Sequence, residues 1–142
     1  MSILTVQEQL KVRQTLAGMS SPVRLVFFGQ SLNCDTCTPT RRILQQLVAQ
    51  SEKVSVEERN LVLDKDAASV FGVDRVPAVV IVADERDTGI RFYGAPDGYE
   101  FSALMDAVLL ASKGESGLSE ASRNALQSVT DPVRIQVFVT PT

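Results

Sequence analysis

Histidine is absent from these 142 residues and cysteine occurs only twice. Without imidazole there is no Ser-His or Cys-His nucleophilic pair and no histidine metal ligand. General acid–base work would fall to carboxylates, lysine or water. No apolar run approaches the length of a membrane span, and the first residues lack a signal peptide's basic start and apolar block. Neither membrane insertion nor export is supported, so a cytoplasmic location is expected. The net charge of -3, with no basic cluster beyond Arg41-Arg42, argues against nucleic acid or an anionic membrane surface as partner. The balance of 44% hydrophobic and 22% charged residues is that of an ordinary globule large enough to bury a core.

What is present centres on the two cysteines, in the run Cys34-Asp35-Thr36-Cys37. A strand-like segment precedes them and an amphipathic, helix-like segment follows. A thiol at a helix N-terminus meets unpaired backbone N–H groups and the positive end of the dipole, which favours its thiolate. A second thiol one turn away can close a disulfide with it. In a reducing compartment a lone CxxC points to catalysis or metal binding rather than to a structural staple. Thiol–disulfide exchange needs no histidine, because the thiolate is the reagent. Two alternatives stay open at this point. The cysteines could be small buried apolar residues, or they could hold metal by pairing across a dimer, since two thiolates alone are too few.

Periodicity places the elements around this motif. Thr5-Val6-Gln7-Glu8 has capping-box spacing, so a helix is expected from Thr5 to about Gly18. Its expected apolar face is Val6, Leu10 and Ala17 with Ile3 and Leu16. Val23 to Phe28 is an apolar run suited to a central strand. Thr40 to Gln50 is helical, with Ile43, Leu44, Leu47 and Val48 on one face, and Pro39 must lie in its first turn. Val54 and Val56 mark a half-buried strand, and Asp64 is expected to cap a short helix through Phe71. Ala78 to Val82 forms a second doubly buried strand after Val76-Pro77. A polar turn over residues 84–89 leads to a partner strand, Ile90 to Tyr93. Phe101, Leu104, Met105, Val108 and Leu109 mark a helix ending before Gly114. The order βαβαββα around a mixed four-stranded sheet flanked by helices is an α/β, thioredoxin-like arrangement.

The chain also repeats itself. Pro22 to Phe28 (PVRLVFF) reappears 110 residues later as Pro132 to Phe138 (PVRIQVF), and Arg13 and Leu16 answer to Arg123 and Leu126. Duplication is the better reading. It divides the chain into a thioredoxin-like unit over residues 1–116 and the start of a second unit over 117–142. The chain is then a shortened form or one half of a tandem protein. A lone strand at 133–139 cannot make its own sheet, so it is expected to dock on the first unit's sheet or to pair in a homodimer.

These residues resemble the protein disulfide oxidoreductases of thermophiles, or glutaredoxin-like proteins, which carry two tandem thioredoxin-fold units, each with a CxxC. The resemblance runs through Pro22-Val23, Cys34 to Cys37, Val76-Pro77-Ala78, the stretch Arg91 to Phe101, and the closing Val137 to Thr142. The chain lacks the second CxxC, and Tyr99 stands where the family often has histidine. The resemblance implies a disulfide oxidoreductase in which Cys34 attacks and Cys37 resolves, with the Cys34–Cys37 disulfide as redox centre and no other cofactor or metal. Its partners would be protein or small-molecule disulfides and a thiol reductant such as glutathione or a thioredoxin-reductase system. It implies a cis Pro77 against the cysteines, with Val76 offering its backbone to an extended substrate.

Asp35 and Thr36 should tune the pair. A carboxylate beside a thiolate raises the thiol pKa against the helix-end effect, and a potential near the reducing end, about -270 mV, is expected. Phe28, six residues before Cys34, occupies the place of the thioredoxins' buried acid. Arg41 and Arg42 could bind a glutathione carboxylate or stabilise a thiolate, although a solvated helix face is the simpler reading. The other course is a non-catalytic docking module of a tandem redox protein whose second half does the chemistry.

Overall fold

The computed structural model describes residues 4–140, so Ile3, Pro141 and Thr142 lie outside the described residues. The elements run α1 (Val6–Leu16), β1 (Val23–Gly29), α2 (Cys37–Val48), β2 (Val54–Asn60), α3 (Lys65–Val70), β3 (Ala78–Ala83), β4 (Arg86–Tyr93), α4 (Tyr99–Lys113) and α5 (Glu120–Leu126). The sheet order is β2-β1-β3-β4. β1 pairs parallel to β2 and antiparallel to β3, and β3 pairs antiparallel to β4. This is the mixed α/β sheet that the element order predicts.

The two mainly apolar runs take the two central positions, where both faces are covered save at Arg24 of β1. Alternation along β1 divides them between two layers. Val23, Leu25 and Phe27 face a large core shared with Leu44 and Leu47 of α2 and Leu104 and Val108 of α4. Val26 and Phe28 face a smaller core with Ala68 of α3 and Val80 of β3, where Phe28 meets the Phe71 ring edge-on at 6.1 Å.

Several local expectations need correction. The capping box of α1 forms, with Thr5 Oγ1 accepting from the Glu8 amide and the Glu8 carboxylate accepting from the Thr5 amide. The buried face of that helix, however, is Val12 and Leu16, while Val6 and Leu10 are exposed, because α1 meets the core only through its second half. Asp64 stands at the start of α3 but makes no cap. Its Oδ2 turns back to accept from the Asn60 amide at 2.7 Å. The hairpin turn is shorter than the polar run suggests. Asp84 and Glu85, both at positive φ, make it, and β4 begins at Arg86 with a bulge opposite Val80–Val82.

The repeat is realised only in its helix. α5 stands at the offset of α1, yet Val133 to Val139 forms no strand and joins no ladder. Its side chains lie exposed, Phe138 at 88%, where Phe28 is fully buried. The expected docking on the first unit's sheet is therefore not what the chain does. Like residues take opposite environments because β1 has a paired strand on each side, whereas the copy has none and faces β4 only across an open cavity.

Candidate functional site

β1 delivers the chain to Gly29 at the end of the sheet, and the turn back into α2 carries the cysteines. Gln30 braces that turn, its Nε2 donating to the Leu32 carbonyl at 2.7 Å. Cys34 and Cys37 are joined as a disulfide, with Cα atoms 5.5 Å apart. Cys34 is half-buried and Cys37 buried in the large core, while Asp35 and Thr36 between them are exposed. α2 starts at Cys37, three residues earlier than periodicity indicates. Thr36 occupies the N-cap position without a side-chain cap, and its carbonyl accepts from the Thr40 hydroxyl at 2.7 Å. The open first turn thus presents its N–H groups at the cysteine end, the electrostatic setting that favours a thiolate.

Val76-Pro77 is a cis peptide bond. Pro77 is buried and its carbonyl accepts from the Gly94 amide at 3.0 Å. Val76 is half-buried and packs, as Cys34 does, against the core layer that holds Cys37. Among the described residues Val76 makes no backbone hydrogen bond. The structure therefore brings Cys34, Cys37, Val76 and Pro77 to one end of the sheet, with Asp35 and Thr36 on the outer surface of the turn.

Two features here escape simple counting along the sequence. The strand residue on the Cys37 side is Phe27, not Phe28, because alternation turns Phe28 into the opposite core. Both positions are phenylalanine, so that wall carries no buried acid. Gly29 is the second feature. A Cβ there would stand 3.0 Å from Phe27 Cζ and 3.6 Å from Cys37 Sγ, so the missing side chain makes room for the Phe27 ring, while the sulfur lies at ordinary contact distance. Strand parity, carried from Phe27 to Gly29, is the signal that would have found both. Arg41, expected on a solvated face, is engaged. Its Nε donates to Glu58 Oε1 at 2.7 Å and its guanidinium lies 5.7 Å over the Phe27 ring. The hydrogen bond to Glu58 holds the Arg41 pKa above the ordinary arginine value. Among the described residues no group of three or more cysteine and carboxylate side chains could hold a metal ion.

The fold has counterparts among solved structures. A protein disulfide oxidoreductase from Aeropyrum pernix matches with a TM-score of 0.78 at 30% identity, over 87% of this chain and 54% of that one. The chain has the thioredoxin-like fold of the protein disulfide oxidoreductases. An alkylhydroperoxide reductase from Enterococcus faecalis matches with a TM-score of 0.79 at 18% identity, over 88% of this chain and 60% of that one. A thioredoxin from Halobacterium salinarum matches with a TM-score of 0.54 at 22% identity, over 78% of this chain and 88% of that one. These last two speak for the fold alone. The chain spans little more than half the length of the protein disulfide oxidoreductase it matches. No protein-family model and no curated protein matches the chain. No helix among the described residues is long and apolar enough to cross a membrane.

Proposed function

We propose that the chain is a thiol–disulfide oxidoreductase acting through Cys34 and Cys37. The observation that carries this reading is a disulfide between a half-buried Cys34 and a buried Cys37 at the open start of α2. Cys34 is the thiol that a substrate can reach. Its thiolate attacks a substrate disulfide, forms a mixed disulfide and expels the first substrate thiolate. Cys37 then attacks Cys34 Sγ and releases the second.

Val76, with its backbone unpaired, receives an extended segment of the substrate beside Pro77, while Asp35 and Thr36 tune the pair. The disulfide is the redox centre, and the chemistry asks for no further cofactor. The substrates are protein or small-molecule disulfides. Reducing power comes from a thiol donor such as glutathione or a thioredoxin-reductase system, in the cytoplasm. The potential lies toward the reducing end, about -270 mV. Residues 1–116 form the working unit and 117–142 begin a second one.

The test is turnover of a disulfide-bonded reference protein. Cys34→Ser abolishes reduction, and Cys37→Ser accumulates a mixed disulfide visible by mass. Retained turnover in the Cys34→Ser variant refutes the assignment. A second reading is favoured by the exposed apolar run Val133 to Val139. In it the chain is a docking module for the remainder of a tandem redox protein. Failure of the wild-type protein to cycle between dithiol and disulfide would select that reading.

A further inference from the structure

We propose that Arg41 is a positioning residue for the second step, a fixed cation that assists Cys37 in resolving the mixed disulfide. This rests on the exchange reading of Cys34 and Cys37. Arg41 lies one turn beyond Cys37 on α2, which sets the two Cβ atoms about 6 Å apart on neighbouring strips of the helix. Its guanidinium is held from two sides. Glu58 of β2 accepts from Nε at 2.7 Å, and the ring of Phe27 on β1 lies 5.7 Å below. Phe27 and Glu58 are paired residues in the β1–β2 ladder, so the sheet fixes both supports. The same Phe27 ring extends to the empty Cβ position of Gly29, and that position lies 3.6 Å from Cys37 Sγ. Cation, ring and sulfur therefore occupy one side of the sheet.

The chemistry of the step calls for such a charge. Cys37 gives its proton to water, and a lone pair on its sulfur forms the bond to Cys34 Sγ. The bond between Cys34 and the substrate sulfur breaks, and the leaving thiolate departs with that electron pair. Negative charge thus passes through a sulfur whose residue is only 2% exposed, beside a wall of Phe27 and Gly29 that offers no compensation. Burial disfavours the thiolate, and a half-exposed cation held in place on the same side of the sheet offsets this more than a freely moving one does. Glu58 cancels part of that field and in return keeps the guanidinium over the ring.

The experiment reads the two steps separately with dithiodipyridine, a neutral disulfide whose released thione absorbs light. Mixed with reduced protein, it gives a bimolecular phase as Cys34 reacts and a concentration-independent phase as Cys37 resolves. Arg41→Gln is expected to slow the second phase about fivefold and to leave the first within about twofold. Arg41→Lys, which keeps the charge, restores most of the loss, and Glu58→Gln is no slower than wild type. An unchanged second phase in Arg41→Gln, an equal slowing of both phases, or failure of lysine to rescue overturns the proposal. Release of a single thione by the wild-type protein overturns the exchange reading beneath it, which the other outcomes leave standing.

Discussion

Ser112 offers the sharpest stability test in the molecule, because one buried hydroxyl there serves three backbone groups. It lies in the last turn of α4, and its Oγ accepts from the amides of Ser20 and Ser21 at 2.9 Å each. The same Oγ donates to the Ser21 carbonyl at 2.7 Å. The residue is 3% exposed, so the three contacts tie the segment ahead of β1 to α4 inside the protein. Ser112→Ala removes all three and leaves two donors and one acceptor without their partner. At about 1 kcal/mol for each such group the loss reaches about 3 kcal/mol. Ser20 is an exposed residue whose amide water can rehydrate once the hydroxyl is gone, which brings the expectation to about 2 kcal/mol. The hydroxyls of Ser20 and Ser21 still donate to the Ser112 carbonyl at 2.9 and 2.6 Å, so the segment stays docked and the fold survives. Urea unfolding should show a midpoint lowered by about 1 M at an unchanged slope. The rates of both thiol steps should stay at the wild-type value, because Ser112 contacts the segment entering β1 and the cysteines follow its far end. A loss below about 0.5 kcal/mol would refute the reasoning, and so would a large change in the thiol chemistry.

Three further outcomes follow from other contacts. Gly29→Ala presses a methyl against the Phe27 ring and toward Cys37 Sγ. It should cost about 1 kcal/mol as overpacking and slow dithiol re-oxidation, and a fully wild-type oxidation rate would count against the close approach. Thr5→Ala removes the cap of α1 and should cost about 1 kcal/mol in urea unfolding, with no effect on turnover. Hydrogen bonds from Arg91 hold the Asp87 carboxyl below its ordinary pKa against opposing burial. Its contribution is therefore present above the unfolded carboxylate range and fades as pH falls through the lower folded value. Asp87→Asn should destabilise at pH 7, and the gap to wild type should begin to shrink below about pH 4 and close once the pH is under the lowered folded value. A gap that persists there would contradict the ionic origin.

The site itself was legible from Cys34-Asp35-Thr36-Cys37, because two thiols one turn apart before an amphipathic segment leave few chemical readings. Central strands and the packed face of α2 were legible for a similar reason, since long apolar runs and 3.6-residue periodicity are strong local signals. Less visible were features that depend on what lies across space. Counting six residues back from Cys34 reached Phe28, but the pleat turns that side chain to the other core and brings Phe27 to the cysteine side. Asp64 reads as a cap, yet the backbone of Asn60 at the end of β2 lies closer to hand.

By itself, then, the sequence determined the element order, the two buried strands and the identity of the disulfide-bonded pair, all set by neighbours within a few residues. Tertiary structure decided the rest. It set Gly29 close to Cys37 and on the Phe27 side of the sheet, laid the half-exposed Arg41 over Phe27 and against Glu58, and left the second PVR run without a ladder. A strand is completed by its partners, and burial depends on what packs above and below. Two segments alike at their Pro-Val-Arg start and final Phe can therefore end in opposite environments.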